Sequence, residues 1–233
     1  MVDAPDMTAL DSDAEKLATW LQKEVLTAAV RWPGGRPGQI EAALVDSVLS
    51  IRARYGRAAT DTSAATGVQR AVDAYKKSRE GSVDDLTALS TQDAETLANI
   101  LGVRQKTSGR TKASAIVEAA SNLVAVGVAH GADVRVDDHD QKAAWTSVRG
   151  LAVVTWKYFG MLLGSPGVKA DTWVIRGVSK AVGRRVSAAK AEALVHAAAQ
   201  LIPGKNATDL DHAIWAHMRV GASSVGELSN PAP

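Results

Sequence analysis

The chain has 233 residues, 46% of them hydrophobic and 22% charged, and a net charge of +2. That is globular composition, long enough for one large domain or two small ones, and too weakly charged for a polycation. Cysteine is absent, which excludes disulfides, a thiol nucleophile, thiolate zinc sites and cysteine-held iron–sulfur clusters. The acidic stretch Met1 to Asp13 lacks the apolar segment of a signal peptide, and no apolar run nears the roughly 18 residues of a membrane span. A cytoplasmic protein with no membrane partner is expected.

Nearly every apolar pattern has helical period. Leu17, Trp20, Leu21, Val25 and Ala28 form one stripe, followed by the Pro/Gly break at 32–38. Ile40, Leu44, Val48 and Ile51 form a second. Ser90-Thr91-Gln92-Asp93 has capping-box spacing, and Leu97, Ile100 and Leu101 lead to Gly102 in the place of a C-terminal cap. Ile116, Val117, Ala120, Leu123 and Val124 mark a long helix over about 112–129. Strand character is confined to Val134-Arg135-Val136, too short to found a sheet. Residues 142–163 read helix, short hairpin, helix. Ile202-Pro203-Gly204 is a stop, and Thr208-Asp209-Leu210-Asp211 has capping-box spacing at the start of a last helix. The expected fold is all-α, about ten helices.

Charge is unevenly placed. From Lys142 to Lys190 there are nine Lys/Arg and one acidic residue, Asp171. Asp171 opens the apolar segment Thr172-Trp173-Val174-Ile175-Arg176, so it reads either as a helix N-cap or as an acid set against a bound polyanion. The turn Arg149-Gly150-Leu151-Ala152-Val153 precedes it. Such a turn leaves backbone N–H groups of the second helix pointing outward, suited to phosphate oxygens, or is a plain helix corner.

The order of these elements resembles the helix-hairpin-helix (HhH-GPD) superfamily of base-excision DNA glycosylases. The family hairpin L-P-G-V-G-x-K-T-A is matched by Val148-Arg149-Gly150-Leu151-Ala152-Val153-Val154-Thr155-Trp156, and its V-D-T-H-x-x-R by Ala170-Asp171-Thr172-Trp173-Val174-Ile175-Arg176. The segment from Gln39 to Ser50 is similar to the family's early helix before the DNA wedge. Gly109-Arg110-Thr111-Lys112-Ala113-Ser114-Ala115-Ile116 is similar to its R-x-K-A-x-x-I helix. The likeness runs over residues 38–218.

The resemblance implies one unit over residues 1–218 in two lobes. The first covers 38–130; the second, carrying the helix-hairpin-helix, covers 139–218 plus the N-terminal helix 13–30. Residues 219–233 are expected to be a frayed tail. It implies a double-stranded DNA partner, a monomer, and nucleoid association if the source is bacterial. DNA contacts would come from Arg149, Gly150, Leu151, Ala152, Val153, Val154, Thr155, Lys157 and Arg176, and from Arg52, Arg54, Tyr55, Arg110 and Lys112. Trp156, Tyr158, Trp173 and Trp215 would wall a pocket for an extruded base, or pack as core.

Departures from the pattern narrow the chemistry. The second hairpin glycine is Ala152, in a turn whose carbonyls (here 148–153) hold a potassium ion in many relatives. The Schiff-base lysine of bifunctional members falls on Val154, and Lys157 lies on another helix face. Trp173 stands where many relatives have His. Apart from that monovalent cation no cofactor is implied, and the five histidines make no metal set. The implied activity is a monofunctional DNA glycosylase, with Asp171 stabilising an oxocarbenium-like sugar and directing water at it. A catalytically idle DNA-binding module and a helical protein–protein adaptor are the alternatives.

Overall fold

The computed structural model describes residues 7–27, 35–53 and 55–227, without the side chains of 7–9 and 220–227. Among these residues there are eleven α-helices. They are α1 (Met7–Trp20), α2 (Ile40–Leu49), α3 (Gly67–Ser78), α4 (Leu86–Ser90), α5 (Ala94–Leu101) and α6 (Lys112–Ala125). After them come α7 (His139–Thr146), α8 (Val153–Leu162), α9 (Thr172–Val182), α10 (Ala188–Leu201) and α11 (Ala207–Glu227). The fold class is all-α, as the periodicity predicts.

Local chemistry sets the ends of these helices. Asp93 caps α5 by accepting the Thr96 N–H at 2.8 Å, so the expected box at Ser90 lies one turn too early and Ser90 ends α4 instead. Gly102 closes α5 in the left-handed region, at φ 60°. The box at α11 is likewise shifted: Asn206 accepts the Asp209 N–H at 2.9 Å, and Thr208 lies inside the helix. Val134-Arg135-Val136 forms no strand. The strands among the described residues are Lys106–Thr107 and Arg110–Thr111, an antiparallel pair within a cationic loop. α11 runs on to Glu227, past the point where a tail was expected.

The chain divides into two compact units. Residues 34–165 form one; residues 1–33 and 166–233 form the other. The sequence suggests a boundary at 131–141, which would group the hairpin with Asp171. Instead α7 packs on α6, and α8 on α2. The reason is aromatic: Trp145 stacks on Phe159 at 5.0 Å between ring centroids, and Trp156 tilts against both. These rings are buried, so both arms of the hairpin are fixed into the 34–165 unit.

Within that unit α2 is buried along its whole length, Glu41, Asp46 and Ser47 included. Glu41 is answered by Tyr75 and Arg79, Asp46 by Arg36 and Tyr55. Buried carboxylates without such partners would be prohibitively costly. In the other unit α1, α9, α10 and α11 pack around Leu17, Leu21, Val174, Val178, Leu194 and Ile214.

Candidate functional site

The hairpin between α7 and α8 closes on one glycine. Gly150 has φ 100°, and a Cβ there would meet Thr107 Oγ1 at 2.8 Å. Ala152 is extended, at φ −142°, and takes the N-cap position of α8, so alanine is accommodated without strain. Thr155 Oγ1 accepts the Ala152 N–H at 3.0 Å and the Trp145 indole N–H at 3.0 Å. Leu151 and Thr155 are buried. These two, expected at the DNA, instead build the turn.

What the turn presents outward is short. Ala152 and Val153 are exposed, Val153 at 45%. Among the described residues no protein acceptor reaches the N–H of Val153 or Val154, the orphan donors of the α8 N-terminus. Arg149 is exposed beside them, and Lys157 is partly so. The carbonyls of Val148, Gly150 and Ala152 already accept, respectively, the Leu151 N–H, the Thr107 hydroxyl and the Thr155 and Trp156 N–H groups. The Val148 and Gly150 oxygens each keep a second lone pair, the one a bound cation would use.

Other expected contacts resolve differently. Lys112 is 2% exposed, and its Nζ donates to Leu49 O, Ile51 O and Gln105 Oε1 at 2.9, 2.6 and 2.8 Å. Burial pulls its pKa down to about 8. It is a structural clamp, and the expectation of a phosphate contact is corrected. Arg110 pairs with Glu118 and bonds Ser114. Tyr55 donates to Asp46 Oδ2 at 2.8 Å, while Arg52 is exposed in a left-handed conformation, φ 48°. Arg54 lies outside the described residues.

Two of the four expected base walls are core. Trp156 is 1% exposed and donates to Val136 O at 2.8 Å. Tyr158 is 6% exposed with its hydroxyl in the Asp46–Tyr55 network, and its pKa is pushed up, mainly by burial and then by Asp46. Both satisfy their polar atoms inside the protein, and of the two readings the sequence offered they take the core one. Trp173 and Trp215, in the other unit, are partly exposed. Arg176 lies 5.4 Å from the Trp173 ring and Arg219 4.5 Å from the Trp215 ring.

Asp171 heads α9. Alternation in the preceding loop explains its position: Val168 and Ala170 are buried in the core, and Lys169 and Asp171 between and after them are not. Oδ1 of Asp171 accepts the N–H groups of Trp173 at 2.8 Å and Val174 at 3.1 Å. Oδ2 accepts no hydrogen bond among the described residues. The cap and acid readings are therefore compatible, one oxygen serving each.

The sequence reading missed a second carboxyl. Asp211, in the first turns of α11, is 6% exposed and its Oδ1 is enclosed without a partner. Its pKa is raised well above the ordinary value, first by burial and next by the charge of Asp171. The signal was present in the pattern Ala207, Leu210, Asp211, Ile214, which places Asp211 on the apolar stripe rather than at the cap.

The family model described as a domain of unknown function (DUF8548) matches residues 15–219. The chain belongs to this family. No curated protein matches the DUF8548 chain. Among solved structures, a trapped endonuclease III–DNA covalent intermediate matches at 16% identity. That match covers 91% of this chain and 85% of the other, with a TM-score of 0.54. MBOgg1 in complex with a low-affinity DNA ligand matches at 11% identity over 93% of this chain and 71% of the other, with a TM-score of 0.51. At these identities the likeness is one of fold: this DUF8548 member has the helix-hairpin-helix glycosylase fold.

Proposed function

We propose that this protein binds double-stranded DNA and hydrolyses the N-glycosidic bond of a damaged or modified base, as a monofunctional DNA glycosylase. The observation that carries the reading is Asp171, held at the head of α9 by two N–H donors to Oδ1 while Oδ2 stays uncommitted. The fold shared with endonuclease III and MBOgg1 structures, both solved with DNA, supports it.

Base loss develops positive charge on the sugar, and a fixed carboxylate oxygen stabilises that charge without reorganising. The same oxygen directs or deprotonates the attacking water. Val154 occupies the place of the amine nucleophile, so Asp171 works on water rather than beside a Schiff base. The hairpin contributes grip: two free N–H donors at the start of α8, with Arg149 and Lys157 nearby, suit a phosphate. Trp173 and Trp215 are the aromatic faces left for an extruded base.

The test is a panel of duplex oligonucleotides carrying uracil, alkylated, deaminated, oxidised and hypermodified bases, assayed for alkali-labile sites. Asp171→Asn keeps an N-cap side chain but loses the charge, so folding and DNA binding persist. Cleavage falls by about a hundred- to a thousandfold, as for loss of one preorganised electrostatic group. Tight, salt-dependent DNA binding with no abasic site on any substrate would establish the idle-module reading instead.

A further inference from the structure

The strand pair Lys106–Thr107 and Arg110–Thr111 is docked on the helix hairpin. Thr107 Oγ1 donates to the Gly150 carbonyl at 3.2 Å, and the Thr107 side chain packs where a Gly150 Cβ would stand. Register sets Lys106 opposite Thr111 and Thr107 opposite Arg110, which leaves Ser108 and Gly109 as a two-residue tip. Both have positive φ, 47° and 86°, as the type I′ turn of a short hairpin requires. The tip comes up to Arg149: a Cβ at Gly109 would meet Arg149 Nη2 at 3.8 Å.

Four cations, Arg104, Lys106, Arg110 and Lys112, stand between Gly102 and Val117 with no acid among them. Three are committed. Lys112 is buried, Arg110 pairs with Glu118, and Arg104 pairs with Glu95. Lys106 is exposed, and among the described residues no carboxylate lies within ion-pair distance of it or of Arg149. Alternation sends Thr107 and Arg110 to the face that meets the hairpin and α6, and Lys106 to the open face.

The backbone at the tip is open too. Ser108 and Gly109 are exposed, and among the described residues no protein acceptor reaches either N–H. Val153 and Val154 offer two more such donors at the start of α8. Four N–H donors and two unpaired cations thus lie within a few residues of the Thr107–Gly150 contact. Amide donors set among cations suit the oxygens of a phosphodiester.

We infer that the Ser108–Gly109 tip is a second grip on duplex DNA: it takes a backbone phosphate beside the one held at the head of α8, with Lys106 and Arg149 supplying charge. The inference rests on the DNA-binding part of the function proposed above and adds residues which that part does not use. Because the tip is tied to the hairpin through Thr107, the two elements meet one duplex as a unit.

The experiment measures duplex affinity of the full chain by fluorescence anisotropy from about 0.05 to about 0.3 M salt. Wild type, Ser108→Asn, Ser108→Asp and Lys106→Ala are compared, each with its thermal melt. Asn-Gly and Asp-Gly both suit a type I′ turn, so both Ser108 variants should melt at or above wild type. They differ in charge. Ser108→Asn should bind as wild type does, and Ser108→Asp at least about tenfold more weakly near 0.1 M salt, where close charges are not yet screened. Lys106→Ala, outside the turn, should lower the slope of log affinity against log salt by about one.

Equal affinities of the two Ser108 variants would overturn the inference. So would an unchanged slope for Lys106→Ala; in either case the grip at the head of α8 would stand. A wild type that binds no duplex at any salt would overturn the DNA-binding reading, and the inference with it, a result distinct from the other two.

Discussion

Lys112 Nζ donates to the carbonyl oxygen of Leu49 at 2.9 Å, a bond that ties the head of α6 to the tail of α2. Ile51 O and Gln105 Oε1 complete the three acceptors an ammonium can use. The lysine thus closes the end of the most buried helix of its unit.

Lys112→Met should therefore act on stability. It leaves two backbone carbonyls and an amide oxygen without their donor, at a cost of about 3 kcal/mol. The melting temperature should fall by roughly 6–12 °C for a chain of this size. A variant that melts like wild type but binds duplex DNA more weakly would restore the phosphate-contact role that the sequence suggested.

Gly150→Ala should damage the hairpin through both its backbone and its neighbour. The left-handed φ of 100° is unfavourable for alanine, and the added carbon runs into Thr107. A loss of about 1–3 kcal/mol is expected, together with weaker duplex binding in a fluorescence anisotropy titration. Ala152→Gly, at an extended residue, should change neither measurably. Equal effects at the two positions would mean that the turn is not built as described.

Duplex affinity should depend steeply on salt. Each phosphate contact contributes about 0.9 to the slope of log affinity against log salt. Arg149→Ala should lower that slope by about one, and the Arg149→Ala/Lys157→Ala double variant by about two. Unchanged slopes would remove the hairpin from the DNA interface.

His130 offers a pH signature in the 34–165 unit. Its ring Nδ1 lies 2.6 Å from the Asp84 carbonyl, and that hydrogen bond, then the charges of Asp133, Asp84 and Asp85, raises its pKa. Because the folded pKa exceeds the unfolded value near 6.5, its stabilisation is fully present below pH 6.5. It disappears as pH rises through the folded value. Wild type should melt above His130→Gln at pH 5.5, and the gap should close by pH 8. A gap that stays constant across this range would show that the proton is not involved.

Legibility differed by kind of feature. Helix content, the Gly102 cap and the position of Asp171 at a helix head follow from local pattern, because periodicity and capping are written within a turn or two of chain. The capping boxes were displaced by three residues at α5 and two at α11 because several Ser, Thr, Asp and Asn lie close together, and spacing does not choose among them. Lys112 was misplaced for a different reason. Two of its acceptors, the Leu49 and Ile51 carbonyls, lie 63 and 61 residues away, and such bonds leave no local mark of burial.

By itself the sequence determined that the chain folds into helices and that it carries one carboxylate in a cationic stretch. Tertiary structure decided which side chains are left to act. It drew Thr155, Leu151 and Lys112 inward, kept Arg149 and Val153 out, left Asp171 one uncommitted oxygen, and buried Asp211 in α11. The physical reason is that hydrogen-bond donors and acceptors are matched across long sequence separations, and burial follows from whichever matches close.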